Sequence, residues 1–293
     1  MLTHGMTEPT PPTRTVIVGA GGFVGSAIAR NLEARGATVL RLGREEIDLM
    51  DAAAGEDLAD MLRPEDSVVL VSARAPVKDA AMLRQNIVMI EAMTAAIATA
   101  KPAHVLNIGS DAVFADSDAP LTEASSRAAE SLHGIMHLTR EVMFGDTGLP
   151  LATLRPTLIY GADDPHNGYG PNRFRRLATD GDPIKLFGQG EERRDHIWVE
   201  DVAELAARIV LRRSTGSLNA VTGQVISFDS LAKICNRLHG PVAIENLPRS
   251  GPMPHDGYRP FDASAIQAAF PDMTMTPPEQ GLERVAESLK NGS

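Results

Sequence analysis

Residues 15–25 read Thr-Val-Ile-Val-Gly-Ala-Gly-Gly-Phe-Val-Gly, an apolar run that empties into glycines and continues as a helical stretch closed by Gly36. Such a segment buries a strand, turns tightly and starts a helix. Glycine at 19, 22 and 25 permits the turn and lets backbone approach a ligand closely. The helix start then offers unpaired N–H groups and the positive end of its dipole to an anion. A glycine triplet alone is a weak signal. Here it has a strand before it, a helix after it and another apolar run, ATVLRLG, at 37–43, which is the context a dinucleotide pyrophosphate site requires.

The same rhythm continues downstream. Strands are expected at 67–73, 104–110 and 151–161, with helical spacing at about 79–100 and 126–145 between them. Apolar runs without polar/apolar alternation, separated by helices, imply a parallel sheet covered on both faces. The fold class is therefore α/β, a Rossmann-type doubly wound parallel sheet. After Gly161 the texture shifts to Gly, Pro, Asn and Asp, and prolines crowd 248–259 and 277–278. These segments are expected to form a smaller mixed α/β lobe. The domain reading is a flexible tail at 1–13, a dinucleotide-binding domain at 14–161 plus 196–213, and a substrate lobe at 162–195 plus 214–293.

The end of the second strand bears on which dinucleotide binds. An acidic residue there accepts from the ribose 2′-hydroxyl of NAD. Here the segment reads Val-Leu-Arg41-Leu-Gly-Arg44, with two guanidinium groups. Arginine suits a 2′-phosphate, so NADP is preferred over NAD. Asp48 and Leu49 stand where they meet the adenine edge, although Asp48 could equally cap the next helix. The formal net charge of −10 argues against nucleic acid and anionic membrane surfaces as partners. No apolar stretch reaches the ~18 residues of a membrane span. The lone cysteine, Cys235, excludes an intramolecular disulfide and reads as inert packing. A cytoplasmic setting is the expectation.

The Gly-x-x-Gly-x-x-Gly spacing at 19–25 resembles that of extended short-chain dehydrogenases/reductases. FVGSAIARNLEARG with VLRLGREEIDLMD is similar to the start of GDP-fucose synthases. SDAVFAD (110–116) is similar to a strand end of dTDP-4-dehydrorhamnose reductases. RPTLIYG (155–161) and GQGEERRDHIWVEDVAEL (188–205) resemble nucleotide-sugar epimerases. The resemblance implies the NAD(P)-dependent nucleotide-sugar epimerase/dehydratase family. It implies that Phe23, Val24, Ala73 and Pro156 line the cofactor, and that Asn86 lies beneath it. Ser110 would bond the reacting sugar oxygen, and Thr157, Asn172 and Arg194 would meet a nucleotide-sugar substrate. For Arg194 there is independent support, because a guanidinium binds phosphate bidentately. Ala112 stands where dehydratases of the family carry a glutamate, which disfavours dehydration. Helices at about 82–98 and 126–144 would pair two copies as a homodimer.

One departure bears on catalysis. The family's Tyr-x-x-x-Lys pair is His133-x-x-x-His137 here. The spacing keeps both side chains on one helical face, but the chemistry differs. Histidine has an ordinary pKa of about 6.5 and needs no neighbouring lysine to pass a proton near neutrality. An imidazole nitrogen also reaches less far than a phenol oxygen. Three readings stand side by side. In the first, His133 is the acid/base and Ser110 polarises the substrate. In the second, Asp111 carries the proton. In the third, the chain binds cofactor and sugar nucleotide without efficient turnover. Histidines four apart can chelate zinc, but no third ligand is fixed by spacing, so no metal is expected.

Overall fold

A computed structural model describes residues 2–291. The elements of the first half are β1 (Thr15–Val18), α1 (Phe23–Ala34), β2 (Val39–Leu42), α2 (Ala54–Met61), β3 (Ser67–Leu70), α3 (Ala80–Ala100), β4 (His104–Ile108), α4 (Leu132–Asp146), β5 (Leu151–Pro156) and β6 (Leu158–Tyr160). Then come α5 (Pro171–Asp180), β7 (Ile184–Phe187), β8 (Arg193–Trp198), α6 (Val199–Leu211), β9 (Gly216–Ala220), β10 (Val225–Ser227), α7 (Phe228–His239), β11 (Ile244–Leu247), β12 (Tyr258–Arg259), α8 (Ser264–Ala269) and α9 (Pro278–Asn291).

The six central strands run in the order β2-β1-β3-β4-β5-β9, with every pairing parallel. All residues of β1, β3 and β4 are buried, because α1 and α6 cover one face while α2, α3 and α4 cover the other. That explains their mostly apolar sequences without alternation. The order reverses between β1 and β3, and ligands in open α/β sheets sit beyond the carboxyl ends of the strands at such a switch point. α3 starts where the Asp79 carboxylate accepts from the Met82 N–H at 2.8 Å. It ends at Lys101, in the left-handed region (φ 50°) before Pro102, as a helix meeting proline tends to do.

The run at 151–161 forms two strands rather than one. Pro156 has no N–H, and Thr157 turns away, donating its N–H to Ala220 O at 3.1 Å and its hydroxyl to Asp195 at 2.9 Å. β5 stays in the central sheet, whereas β6 pairs with β8 outside it. β8 also takes β10 and β12, and β7 pairs with β11. These strands, with α5, α7 and α9, enclose a separate core of Tyr160, Phe174, Leu186, Phe228 and Leu282.

Several boundaries differ from the expectation, among them residues 196–198, which as part of β8 belong to the second sheet rather than the central one. Residues 216–220 complete the central sheet as β9, so the second lobe's C-terminal portion begins after them. The N-terminal segment is docked rather than loose. Thr3 and Thr215 exchange backbone hydrogen bonds of 2.9 and 2.8 Å, and the His4 ring bonds Ser214 Oγ and Ala269 O. Apolar Leu2 packs on the first core, so a proline-rich polar sequence is held mainly by its backbone. Among the described residues no helix is long and apolar enough to cross a membrane.

Candidate active site

One cleft, of about 1420 Å³, runs over the carboxyl ends of β1, β3, β4 and β5 into the second lobe. Its size exceeds the usual range for a single small-ligand pocket, roughly 300–1,000 Å³, and leaves room for a dinucleotide and a second molecule.

The glycine turn forms one end. Gly19 has φ +100°, and a Cβ there would lie 2.7 Å from Ser72 N. A Cβ on Gly25 would lie 2.1 Å from Gly19 O, so the helix can cross the turn this closely only without one. Gly22 is sterically freer. It is the N-cap of α1 and brings no side-chain acceptor, which leaves the first-turn N–H groups for a ligand. The residues present therefore fit a dinucleotide pyrophosphate. Phe23 packs against Gly161, and both Phe23 and Val24 border the cleft. Ala73 lines it beyond β3, where buried Asn86 holds the loop by accepting from Arg74 N at 2.9 Å and donating to Arg74 O at 3.0 Å.

Arg41 and Arg44, expected to face a 2′-phosphate, both border the cleft but are paired. Arg41 forks onto Glu33 (2.8 and 2.5 Å), and Arg44 donates to Asp48 (3.3 and 3.1 Å). Asp48 also accepts from Met50 N–H at 3.1 Å, and this bond more than Arg44 holds its carboxyl below the usual range. Leu49 is buried at the rim.

The middle of the cleft brings Ser110, Asp111, His133 and His137 together. β4 delivers Ser110, whose Oγ caps a short 3₁₀ turn by accepting from Ala112 N–H at 3.1 Å and donates to Asp111 at 3.4 Å. α4 begins at Leu132, capped by the Ser131 hydroxyl on Gly134 N–H at 3.0 Å, so His133 stands in its first turn. A Cβ on Gly134 would lie 2.1 Å from Ala112 O; this bare contact lets the helix approach the Ser110 turn. The two imidazoles meet edge to face at 4.7 Å, and neither Nδ1 has a hydrogen-bond partner. Burial lowers the pKa of His133, opposed by the negative charge of Asp111. Burial, then His133 and Arg140, push His137 well below the usual histidine range.

The substrate-side expectations separate. Arg194 is largely buried, borders the cleft, and stands 3.4 Å from Glu192 and 4.0 Å from Asp111. Pro156, Thr157 and Asn172 also border the cleft, but the polar groups of the last two are committed elsewhere. Thr157 Oγ1 donates to Asp195. Asn172 accepts from Gly161 N at 3.2 Å and donates to Ile159 O at 3.4 Å, which makes it a brace for the loop after β6. Tyr169 stacks among Phe174, Phe187 and Phe228 with its hydroxyl on Phe187 N.

Two arginines carry weight that the sequence did not signal. Arg259, from the proline-rich stretch, is buried and donates to Asp111 Oδ2 at 3.3 Å, Asp111 O at 2.9 Å and Phe114 O at 3.1 Å, and also to Asp116, which His255 contacts as well. Arg140 is fully buried, without a carboxylate partner, and donates to Asn107 Oδ1, Ser72 O and Leu70 O at 2.6 Å each. Burial lowers its pKa to about 9. No local motif marks Arg259, whose carboxylate and carbonyl partners lie more than a hundred residues away. Arg140 sits three residues past His137 on α4, and nothing in that local spacing marks it as a buried anchor. Among the described residues, no three metal-ligating side chains cluster.

This architecture is a nicotinamide-dinucleotide-type α/β fold with an appended lobe over the cleft. Residues 15–221 match the NAD dependent epimerase/dehydratase family, and the chain belongs to that family. It is similar to the dTDP-4-dehydro-6-deoxy-D-allose reductase of Streptomyces bikiniensis, at 27% identity over 267 residues, covering 75% of this chain and 80% of the relative. It is also similar to the UDP-glucose 4-epimerase of Mycolicibacterium smegmatis, at 27% over 230 residues, covering 67% and 72%. Among solved structures, the Thermus thermophilus UDP-glucose 4-epimerase in complex with NAD superposes with a TM-score of 0.81 at 20% identity, over 96% of this chain and 100% of that one. The Thermotoga maritima UDP-glucose 4-epimerase with UDP-glucose gives 0.82 at 20% identity, over 95% and 99%.

Proposed function

We propose that this protein is an NAD(P)-dependent epimerase or ketoreductase of a nucleotide-linked sugar, with Ser110 orienting the reacting oxygen and His133 moving the proton. The observation that carries the reading is a single cleft shared by the glycine turn, the Ser110–Asp111 turn, His133 and Arg194. The relatives' names support the substrate class, and the UDP-sugar and NAD complexes of similar structures support the layout.

The nicotinamide ring, when bound, supplies the hydride acceptor and donor. The chain's own residues do the rest. His133 has its pKa lowered by burial, so near neutrality it is an imidazole with one nitrogen ready to accept a proton from a sugar hydroxyl. Asp111 then faces the imidazolium and stabilises it. His133 is favoured over Asp111 as the proton carrier because Asp111 already accepts from Arg259 and faces Arg194. Its orientation serves the site better than exchange with substrate would. Arg194, with a free edge on the cleft, suits the substrate's diphosphate. A homodimer through α3 and α4 accords with the exposed Ile135 (40%) and Val142 (62%) on α4. A cytoplasmic location goes with the same reading.

The test offers UDP-, GDP-, dTDP- and CDP-linked sugars and their 4-keto forms with each cofactor, read by nicotinamide absorbance and product NMR. Turnover is expected for one class. Replacing His133 by alanine should lower kcat at least about 100-fold while dinucleotide binding persists. Binding of cofactor and sugar nucleotide without turnover in the wild type would establish the inactive-binder alternative instead.

A further inference from the structure

The turn after β2 holds a charged group that motif reading passed over. The glycine turn is clamped to the end of β2, with Gly19 N and Ala20 N donating to Leu42 O at 2.7 and 3.1 Å. Gly43, the next residue, therefore lies beside Gly21. A Cβ on Gly43 would stand 3.9 Å from Gly21 Cα and 3.1 Å from Glu46 Oε2. The Glu46 carboxylate thus occupies the direction in which a strand-end side chain would project. It is fixed there by accepting from Gly43 N–H at 2.7 Å. Among the described residues no cation pairs with it, and both residues border the cleft.

We propose that Glu46 is the residue that discriminates between the two dinucleotides and makes NAD(H) the preferred one. The inference rests on the cofactor reading above, that a dinucleotide lies over the glycine turn. With the pyrophosphate at the start of α1, the adenosine ribose falls at the end of β2. A carboxylate there accepts a hydrogen bond from a 2′-hydroxyl. It repels a 2′-phosphate, because like charges at hydrogen-bond range disfavour each other. Arg41 and Arg44, the two cations that would favour the phosphate, are turned to Glu33 and Asp48. Both are exposed ion pairs that exchange readily, but releasing them leaves the Glu46 charge in place. The acid that the end of β2 itself lacks is therefore supplied by Glu46, four residues beyond Leu42.

The experiment uses the full chain and compares NADH and NADPH binding by calorimetry and nicotinamide fluorescence, in the wild type and in Glu46→Gln. Glutamine retains an oxygen to accept from Gly43 N–H, and a melting curve confirms that the variant is folded. The wild type should bind NADH about tenfold or more tightly than NADPH. Glu46→Gln should shift the ratio toward NADPH by a similar factor, and added salt should narrow the wild-type gap. Two results overturn the assignment: a ratio unchanged in Glu46→Gln, or any wild-type preference for NADPH, whose loss in Arg41→Ala or Arg44→Ala would reassign the selection to the arginines. Failure of both dinucleotides to bind would overturn the cofactor reading itself, and the assignment with it.

Discussion

Replacing Gly134 by alanine tests whether the approach of α4 to the Ser110 turn is what assembles the site. The added Cβ would stand 2.1 Å from Ala112 O, 3.0 Å from Ala112 C and 2.9 Å from Ala129 Cβ. Carbon contacts settle near about 3.5 Å, and two of these atoms are backbone, so helix and turn must part by roughly 1 Å or more. Alanine recovers about 1 kcal/mol of helix propensity. Overpacking costs about 1–3 kcal/mol, so the net loss is on the order of 1 kcal/mol and a few degrees of melting temperature. The consequence for chemistry is much larger. His133 rides on the helix while Ser110 and Asp111 ride on the turn, and a ~1 Å misplacement can cost about 100-fold in rate. The dinucleotide turn lies on α1 and is spared. The assay pairs steady-state kinetics with dinucleotide titration and thermal melting. We expect kcat down about 100-fold, with dinucleotide affinity nearly unchanged. A variant with wild-type kcat, or one whose loss follows entirely from weakened dinucleotide binding, would refute the reasoning.

The other expectations concern the buried polar groups. Lowering pH should destabilise the fold below about pH 6.5. Burial depresses His104 to about 4 and His196 to about 3. Between the ordinary value and these, the unfolded chain binds protons that the native state refuses, so stability is lost at up to about 1.4 kcal/mol per pH unit per histidine. Asp195 and Asp201, raised by burial, act in the opposite sense at lower pH. Urea midpoints that stay flat or rise from pH 7 to pH 5 would contradict this. Replacing Arg140 by methionine removes three buried bonds to Asn107, Leu70 and Ser72 and should cost about 3 kcal/mol or more, measured by chemical denaturation; a loss under ~1 kcal/mol would show that the guanidinium is dispensable. Asp195→Asn places an amide NH₂ against the donors Thr157 and Thr222. It should lower the melting temperature, by about 1–3 kcal/mol in free energy, while leaving the KM of the surviving folded enzyme unchanged; a KM effect without destabilisation would place Asp195 on the substrate instead.

Much of the fold was legible because burial on both faces writes itself into the sequence. β1, β3 and β4 are mostly apolar runs without polar/apolar alternation, and each falls within its expected span. What was not legible depended on long-range pairing. Nothing local in LATLRPTLIYG says that Pro156 ends one ladder and that Leu158 joins another, because that choice is made by Ala220 and Asp195, 38 or more residues away from Thr157. The strand at 216–220, GSLNA, is weakly apolar and is recognisable only from the open edge of β5. The N-terminal segment is held mainly by backbone bonds to Arg212 and Thr215, with the His4 ring on Ser214 and Ala269, and these partners lie more than two hundred residues away where no local pattern announces them.

The site shows the same division between local and distant information. The glycine turn needs only its own residues and the next helix, so Gly19 and Gly25 could be read directly. Motif residues whose partners lie elsewhere were harder to place. In the stretch RRDHIWVEDVA the two aspartates are structural: Asp195 takes Thr157 and Thr222, and Asp201 takes Thr276. Arg194 and His196 are the residues of that stretch that border the cleft. A carboxylate or hydroxyl in a motif can serve a ligand or another part of the chain, and its residue type is the same in both cases. Burial with protein partners separates the two outcomes: Thr157 donates to Asp195 and Asn172 bridges Gly161 and Ile159, whereas His133, His137 and His196 each keep one ring nitrogen without a partner among the described residues, beside the cleft. Unsatisfied buried nitrogen is costly to maintain, and among the described residues these three cleft-lining imidazoles are left with incomplete bonding by the chain itself.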